Sequence, residues 1–259
     1  RLALYKNTTA SGNTAVGYNS LYENTTGHDN TAVGRITLRS NTTGINNVGV
    51  GNSALGANTT ASGNTAVGSN SLLVNTTGTK NVALGYQALY TSTTASNNTA
   101  LGYDALKLNT TGVENVAVGS EALDANTTGR ENTSIGYVAL GANTTGDNNT
   151  AVGRSALGSN TTSSNNTAVG FQALTANTTG SQNTGIGRNA MADCTTGHSN
   201  TSVGYNAAEG ITTANYTVAI GDRSMASGNA ITGEHNTSTG HYSLYNLTSG
   251  ASNTAVGIS

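Results

Sequence analysis

An asparagine returns on a fixed beat along this chain: Asn13, Asn30, Asn47, Asn64, Asn81, Asn98, Asn115, Asn132, Asn149, Asn166, Asn183 and Asn200, always 17 residues apart. It opens the stretch Asn-Thr-Ala-Val-Gly, whole at Asn13–Gly17, Asn30–Gly34, Asn64–Gly68, Asn149–Gly153, Asn166–Gly170 and Asn253–Gly257. Thr217 takes the next beat, and after a two-residue slip the beat resumes at Asn236 and Asn253. A unit this short cannot bury a face of its own, so it has to stack on its neighbours as a repeat architecture. Only 8% of residues are charged and Pro is absent, which separates the chain from disordered tracts rich in charge and Pro. Apolar residues do not recur at helical spacing, and Gly, Asn and Thr crowd every repeat.

The consensus reads N-T-A-V-G-x-x-A-L-x-x-N-T-T-G-x-x. Its first half has the pattern of a short strand in which Thr14 and Val16 share one face and Ala15 takes the other. The Val16 column is Val, Leu or Ile in nearly every repeat, with Thr239 the exception, and is read as the core. The Ala15 column is then outward and small, suited to close approach of identical chains. A second apolar column, Leu21, Leu38, Leu55 and their equivalents, faces the first across a thin interior. Asn24-Thr25-Thr26-Gly27 supplies a second extended piece and a turn whose Gly provides a positive φ. The expected fold is all-β: a parallel β-solenoid of about fifteen coils. Residues 1–225 form its regular part, 226–235 a bulged loop at the slip, and 236–259 a continuation. The chain begins and ends part-way through a repeat, as a piece of a longer repetitive protein would.

The segments Tyr216–Gly221, Asn115–Gly119 and Asn81–Gly85 resemble the repeat of YadA-like heads in trimeric autotransporter adhesins. The whole unit, as at Asn166–Gly180, is even more similar to repeats of bacterial and phage tail-fibre proteins. That resemblance implies a left-handed β-roll, three identical chains side by side, and an extracellular shaft or adhesive head on a cell or virion. The 17-residue coil is longer than the adhesin-head repeat.

Catalytic chemistry would break the repeat at one place with matched novelties, and no such break stands out. No cofactor motif or metal-ligand spacing is present, and an enzyme is not expected. The net charge of −2 gives no electrostatic case for nucleic acid. No apolar run is long enough to insert in a membrane as a helix. Two columns carry candidate sites. Asn7, Asn24, Asn41, Asn58, Asn75, Asn109, Asn126, Asn143, Asn160 and Asn177 each open Asn-Thr-Thr, formally a glycosylation acceptor. The competing reading is an Asn ladder bonded from coil to coil. Tyr18, Tyr86, Tyr103, Tyr137 and Tyr205, with Arg35, Arg154, Phe171 and Arg188, form a column just after the Gly. It could contact cell-surface glycans or belong to a lateral interface. Adjacent Thr rows raise ice binding as a further alternative, weakened because neighbouring residues of a strand face opposite ways. The expected function is a structural, extracellular fibre or adhesive head that associates with itself, as a side-by-side trimer, a head-to-tail filament or both. The alternatives are a phage tail-fibre shaft and a glycan-coated or ice- or glycan-binding solenoid.

Overall fold

The computed structural model describes residues 2–258. The chain forms two compact units, Arg1–Arg130 and Glu131–Ser259. In the first, the strands are β1 Thr14–Val16, β2 Thr31–Val33, β3 Val48–Val50, β4 Thr65–Val67, β5 Val82–Leu84, β6 Thr99–Leu101 and β7 Val116–Val118. In the second they are β8 Thr133–Ile135, β9 Thr150–Val152, β10 Thr167–Val169, β11 Thr184–Ile186, β12 Thr201–Val203, β13 Val218–Ile220, β14 Thr237–Thr239 and β15 Thr254–Val256. Within each unit every strand pairs in parallel with the next in sequence, Thr over Thr and Ala over Ala, as in Thr14↔Thr31 and Ala15↔Ala32. This is a parallel β-solenoid with one strand per coil. The second extended piece expected at Asn24–Thr26 is a bend and not a strand.

The strand faces the opposite way from the expectation. Ala32, Ala66, Ala83 and Ala100 are fully buried, whereas Val16 is 58% exposed and Leu84 43%. The small middle residue points inward because the coil is thin and the Leu of the turn fills its interior. Leu21, Leu38, Leu55, Leu72 and their equivalents are fully buried, as is the Ala, Ser or Thr before most of them. Where Ser takes the Ala slot, its hydroxyl turns inward to a turn carbonyl: Ser134 to Ala139 O (2.7 Å) and Ser202 to Ala207 O (2.6 Å). Thr and Val of each strand are left on the outer face.

Two backbone devices close the coil. The Gly ending each strand has a strongly positive φ, +145° at Gly102, and a side chain there would strike the carbonyl of Gly119 in the next coil. The Gly27 column, assigned that role from sequence, has no positive φ. Instead the chain alternates in handedness after the strand: Asn19 and Leu21 have φ of 53° and 47°, and the pattern repeats at Gln87 and Leu89. This lets turn amides bond in both directions along the stack. The N–H of Ile36 donates to Tyr18 O in the preceding coil (2.8 Å), and that of Leu38 to Ala54 O in the following one (3.0 Å). Left-handed conformation costs a Leu about 1–2 kcal/mol. Burying its side chain contributes about 1.5–3 kcal/mol, so the placement holds.

At the slip, β13 pairs with β14 across a longer step, Val218↔Thr237, and Ile211 bridges Ile231 below it. Both isoleucines are fully buried.

The inside-out assignment is tested by a pair of leucines in one coil. Leu106→Ala, in the interior, should cost about 2–5 kcal/mol. Leu101→Ala, on the outer strand face, should cost within about 0.5 kcal/mol. Chemical denaturation of the dilute, unassociated chain measures both.

Candidate functional site

Two ladders of side-chain amides run through the interior of each unit. In the first ladder, the Asn that opens the repeat accepts on Oδ1 from the backbone N–H of its counterpart one coil on. Asn47 N lies 3.0 Å from Asn30 Oδ1, and Asn64 N 3.0 Å from Asn47 Oδ1. Its Nδ2 donates to the turn carbonyl of the next coil, Asn47 to Ala61 O at 2.8 Å. In the second ladder, Nδ2 of the Asn-Thr-Thr residue donates back to the preceding Oδ1 and to a carbonyl three residues on. Asn41 reaches Asn24 Oδ1 (2.8 Å) and Gly44 O (3.0 Å). Asn24, Asn41, Asn58, Asn75, Asn109, Asn126, Asn143, Asn160 and Asn177 are all fully buried. Asn7, half-buried in the first coil, makes the same bond to Ala10 O (3.0 Å). The candidate glycosylation column is therefore an interior one. An amide nitrogen buried between coils cannot carry a glycan in the folded chain, and the reading as a hydrogen-bonded ladder replaces it.

The ladder marks its own breaks. Ser92 occupies the Asn slot above Asn75 and is too short to donate; Asn75 Oδ1 and Ser92 Oγ are both buried without a partner. Cys194 occupies the slot above Asn177, whose Oδ1 is likewise unpartnered. The Cys194 thiol lies 3.6 Å from Gly197 O, and burial pushes its pKa up to about 12. Beyond it the column turns apolar at Ile211. In the first ladder Thr217 substitutes well: its N–H and Oγ1 both bond Asn200 Oδ1, at 2.9 and 2.7 Å.

The outer column after the strand-ending Gly is exposed at Tyr18, Tyr86, Tyr103, Tyr137 and Tyr205. In the first unit Tyr86 and Tyr103 stack face to face, with ring centroids 5.4 Å apart, while Tyr18 belongs to no stack among the described residues. The second unit has a longer array. The Arg154 guanidinium lies 5.8 Å from both the Tyr137 and Phe171 rings. Arg188 lies 5.7 Å from Phe171 and 5.5 Å from Tyr205. Arg223 lies 5.2 Å from Tyr205 and 5.5 Å from Tyr242, with Nη1 donating to Tyr242 Oη at 2.9 Å. Arg223 and Tyr242 were missed from sequence because Asp222 and His241 hold the column slots there; the longer reach comes from the neighbouring position.

The outward strand residues form two further rows in each unit, Thr or Val beside Val, Leu or Ile (Thr at 239), with no charged side chain. Of the adjacent Thr pair in Asn-Thr-Thr, the first bonds to the next coil, Thr25 Oγ1 to Thr42 O at 3.1 Å, and the second is exposed.

No family model, curated protein or solved structure matches the chain. The likeness to tail-fibre and adhesin-head repeats thus stands on the repeat residues alone.

Ser92→Asn should restore a donor to Asn75 Oδ1 and raise stability by about 1–2 kcal/mol, read from the denaturation midpoint. Cys194 should resist alkylation until the chain unfolds. Its folded pKa, about 12, exceeds the ordinary value of 9.0. Only the unfolded chain then loses the thiol proton just above pH 9, so this residue's contribution to stability falls as pH rises from 9 towards 12. A Cys194→Ala comparison across that range isolates the effect.

Proposed function

We propose that the chain is a structural, extracellular fibre protein whose identical copies associate side by side through their outer strand faces. The observation that carries this reading is the pair of outward rows, β-branched or aliphatic, uncharged and in register within each unit. Such a face is apolar enough to favour burial. Because it repeats at every coil, it complements a copy of itself at every coil step. Buried strand pairing and amide ladders make each unit stiff, which suits a shaft or an adhesive head on a cell or virion. Three chains side by side, as in the repeats it resembles, is the assembly we favour.

A second reading draws on the same face. Regular rows of Thr hydroxyls and methyl groups on a parallel sheet also suit binding to ice, and that reading requires the face to stay free.

Native mass spectrometry separates the two. The fibre reading predicts a mass three times the 25.8 kDa chain. It also predicts that Val67→Lys with Val152→Lys converts the assembly largely to single chains of unchanged circular dichroism. A wild-type chain that stays single and slows ice recrystallisation would replace the fibre reading with the ice one.

A further inference from the structure

We propose that the stacked arginines of the second unit, Arg154, Arg188 and Arg223, bind an extended acidic polysaccharide, one carrying uronate carboxylates or sulfate esters. The proposal deepens the adhesive side of the function proposed above by naming its ligand class, and rests on that reading only for its biological setting.

Each guanidinium lies within 5.8 Å of two ring centroids, one from the coil below and one from the coil above. Packed in this way, a long side chain has already given up much of its rotamer freedom before a ligand arrives. No carboxylate of the described residues lies within ion-pair distance of any of the three. Asp222, the neighbouring acid, instead faces His241 at 3.6 Å. The charges are thus exposed or half-exposed and ordered, and none is held in an ion pair, although the Tyr242 hydroxyl and the nearby Asp222 carboxylate both hold the Arg223 pKa up. An Arg in this position offers planar donors suited to carboxylate or sulfate oxygens.

The spacing selects the ligand. The arginines recur on alternate coils, which places them ~9–10 Å apart at the usual inter-strand rise. An extended β-linked polysaccharide turns like groups to one edge at every second sugar, a repeat of the same order. Neutral sugars are disfavoured because the ring faces they would stack on already carry guanidinium groups. Single-stranded nucleic acid is disfavoured for the same reason, since its bases need open aromatic faces.

The test uses the full chain with immobilised β-linked polymers, namely cellulose sulfate, carboxymethylcellulose and neutral hydroxyethylcellulose, and with a single-stranded oligodeoxynucleotide. The acidic polymers should bind with affinity that falls as salt is added, and neutral hydroxyethylcellulose should not bind. The triple variant Arg154→Gln/Arg188→Gln/Arg223→Gln should bind roughly tenfold more weakly. Arg35→Gln/Arg39→Gln should bind as the wild type does. Phe171→Leu keeps every charge but removes the ring between Arg154 and Arg188, and should weaken binding several-fold. It also keeps the test open should the triple variant fail to fold. Absence of wild-type binding, equal binding by a folded triple variant or by Phe171→Leu, equal binding of neutral hydroxyethylcellulose, or tighter binding of the oligonucleotide would each overturn the proposal. Native mass measured on the same samples reports lateral assembly separately, so either reading can fail without the other.

Discussion

Buried amide-to-amide hydrogen bonding is the constraint on which the remaining structure depends. Asn30 meets Asn47, and Asn41 meets Asn58, only when successive coils match residue for residue. An insertion between the two ladders would throw one of them out of step and leave buried polar groups unpaired, at about 1–3 kcal/mol each. That penalty explains why the period holds so closely through the regular part of the chain. It also explains where the period relaxes. The two-residue slip comes after the second ladder has given way to Cys194 and Ile211, where an apolar column can absorb a change of length without stranding an amide.

The step, the parallel stacking and the Leu column were legible in the sequence because each leaves a strictly periodic mark. The orientation of the strand was inferred the wrong way round, although a signal for the right one was present. The Ala15 column admits only Ala, Gly and Ser (Gly49, Ser134, Gly185, Ser202, Ser238), which is a steric limit and the mark of a close interior. The Val16 column varies in shape among Val, Leu, Ile and Thr, as an outer face can. Hydrophobicity pointed to the larger residue, but the interior volume is set by Leu, which leaves room only for a methyl group opposite. The left-handed backbone at Leu21 and its equivalents left no mark that propensity could read, since Leu seldom adopts it and only stacking makes it favourable.

The candidate sites divide the same way. The Asn-Thr-Thr motif satisfied both a glycan reading and a ladder reading, and burial decided between them. The Tyr column was legible as an outward row. Its conversion into a guanidinium–aromatic stack was not fully so, because Arg223 and Tyr242 enter from one position along once the register shifts. The inside of this solenoid is specified by hydrogen bonding and size. Its outside therefore remains open to variation, in uncharged strand rows that suit association with copies of the chain and in a stack of arginines that suits an acidic ligand.

The most direct test of the buried amide ladders is hydrogen exchange of side-chain amides in the chain labelled with 15N at asparagine, followed by NMR. The account predicts that Nδ2 of the interior Asn columns exchanges far more slowly than that of exposed residues such as Asn52. Uniformly fast exchange across the Asn-Thr-Thr column would contradict it and return those amides to the surface.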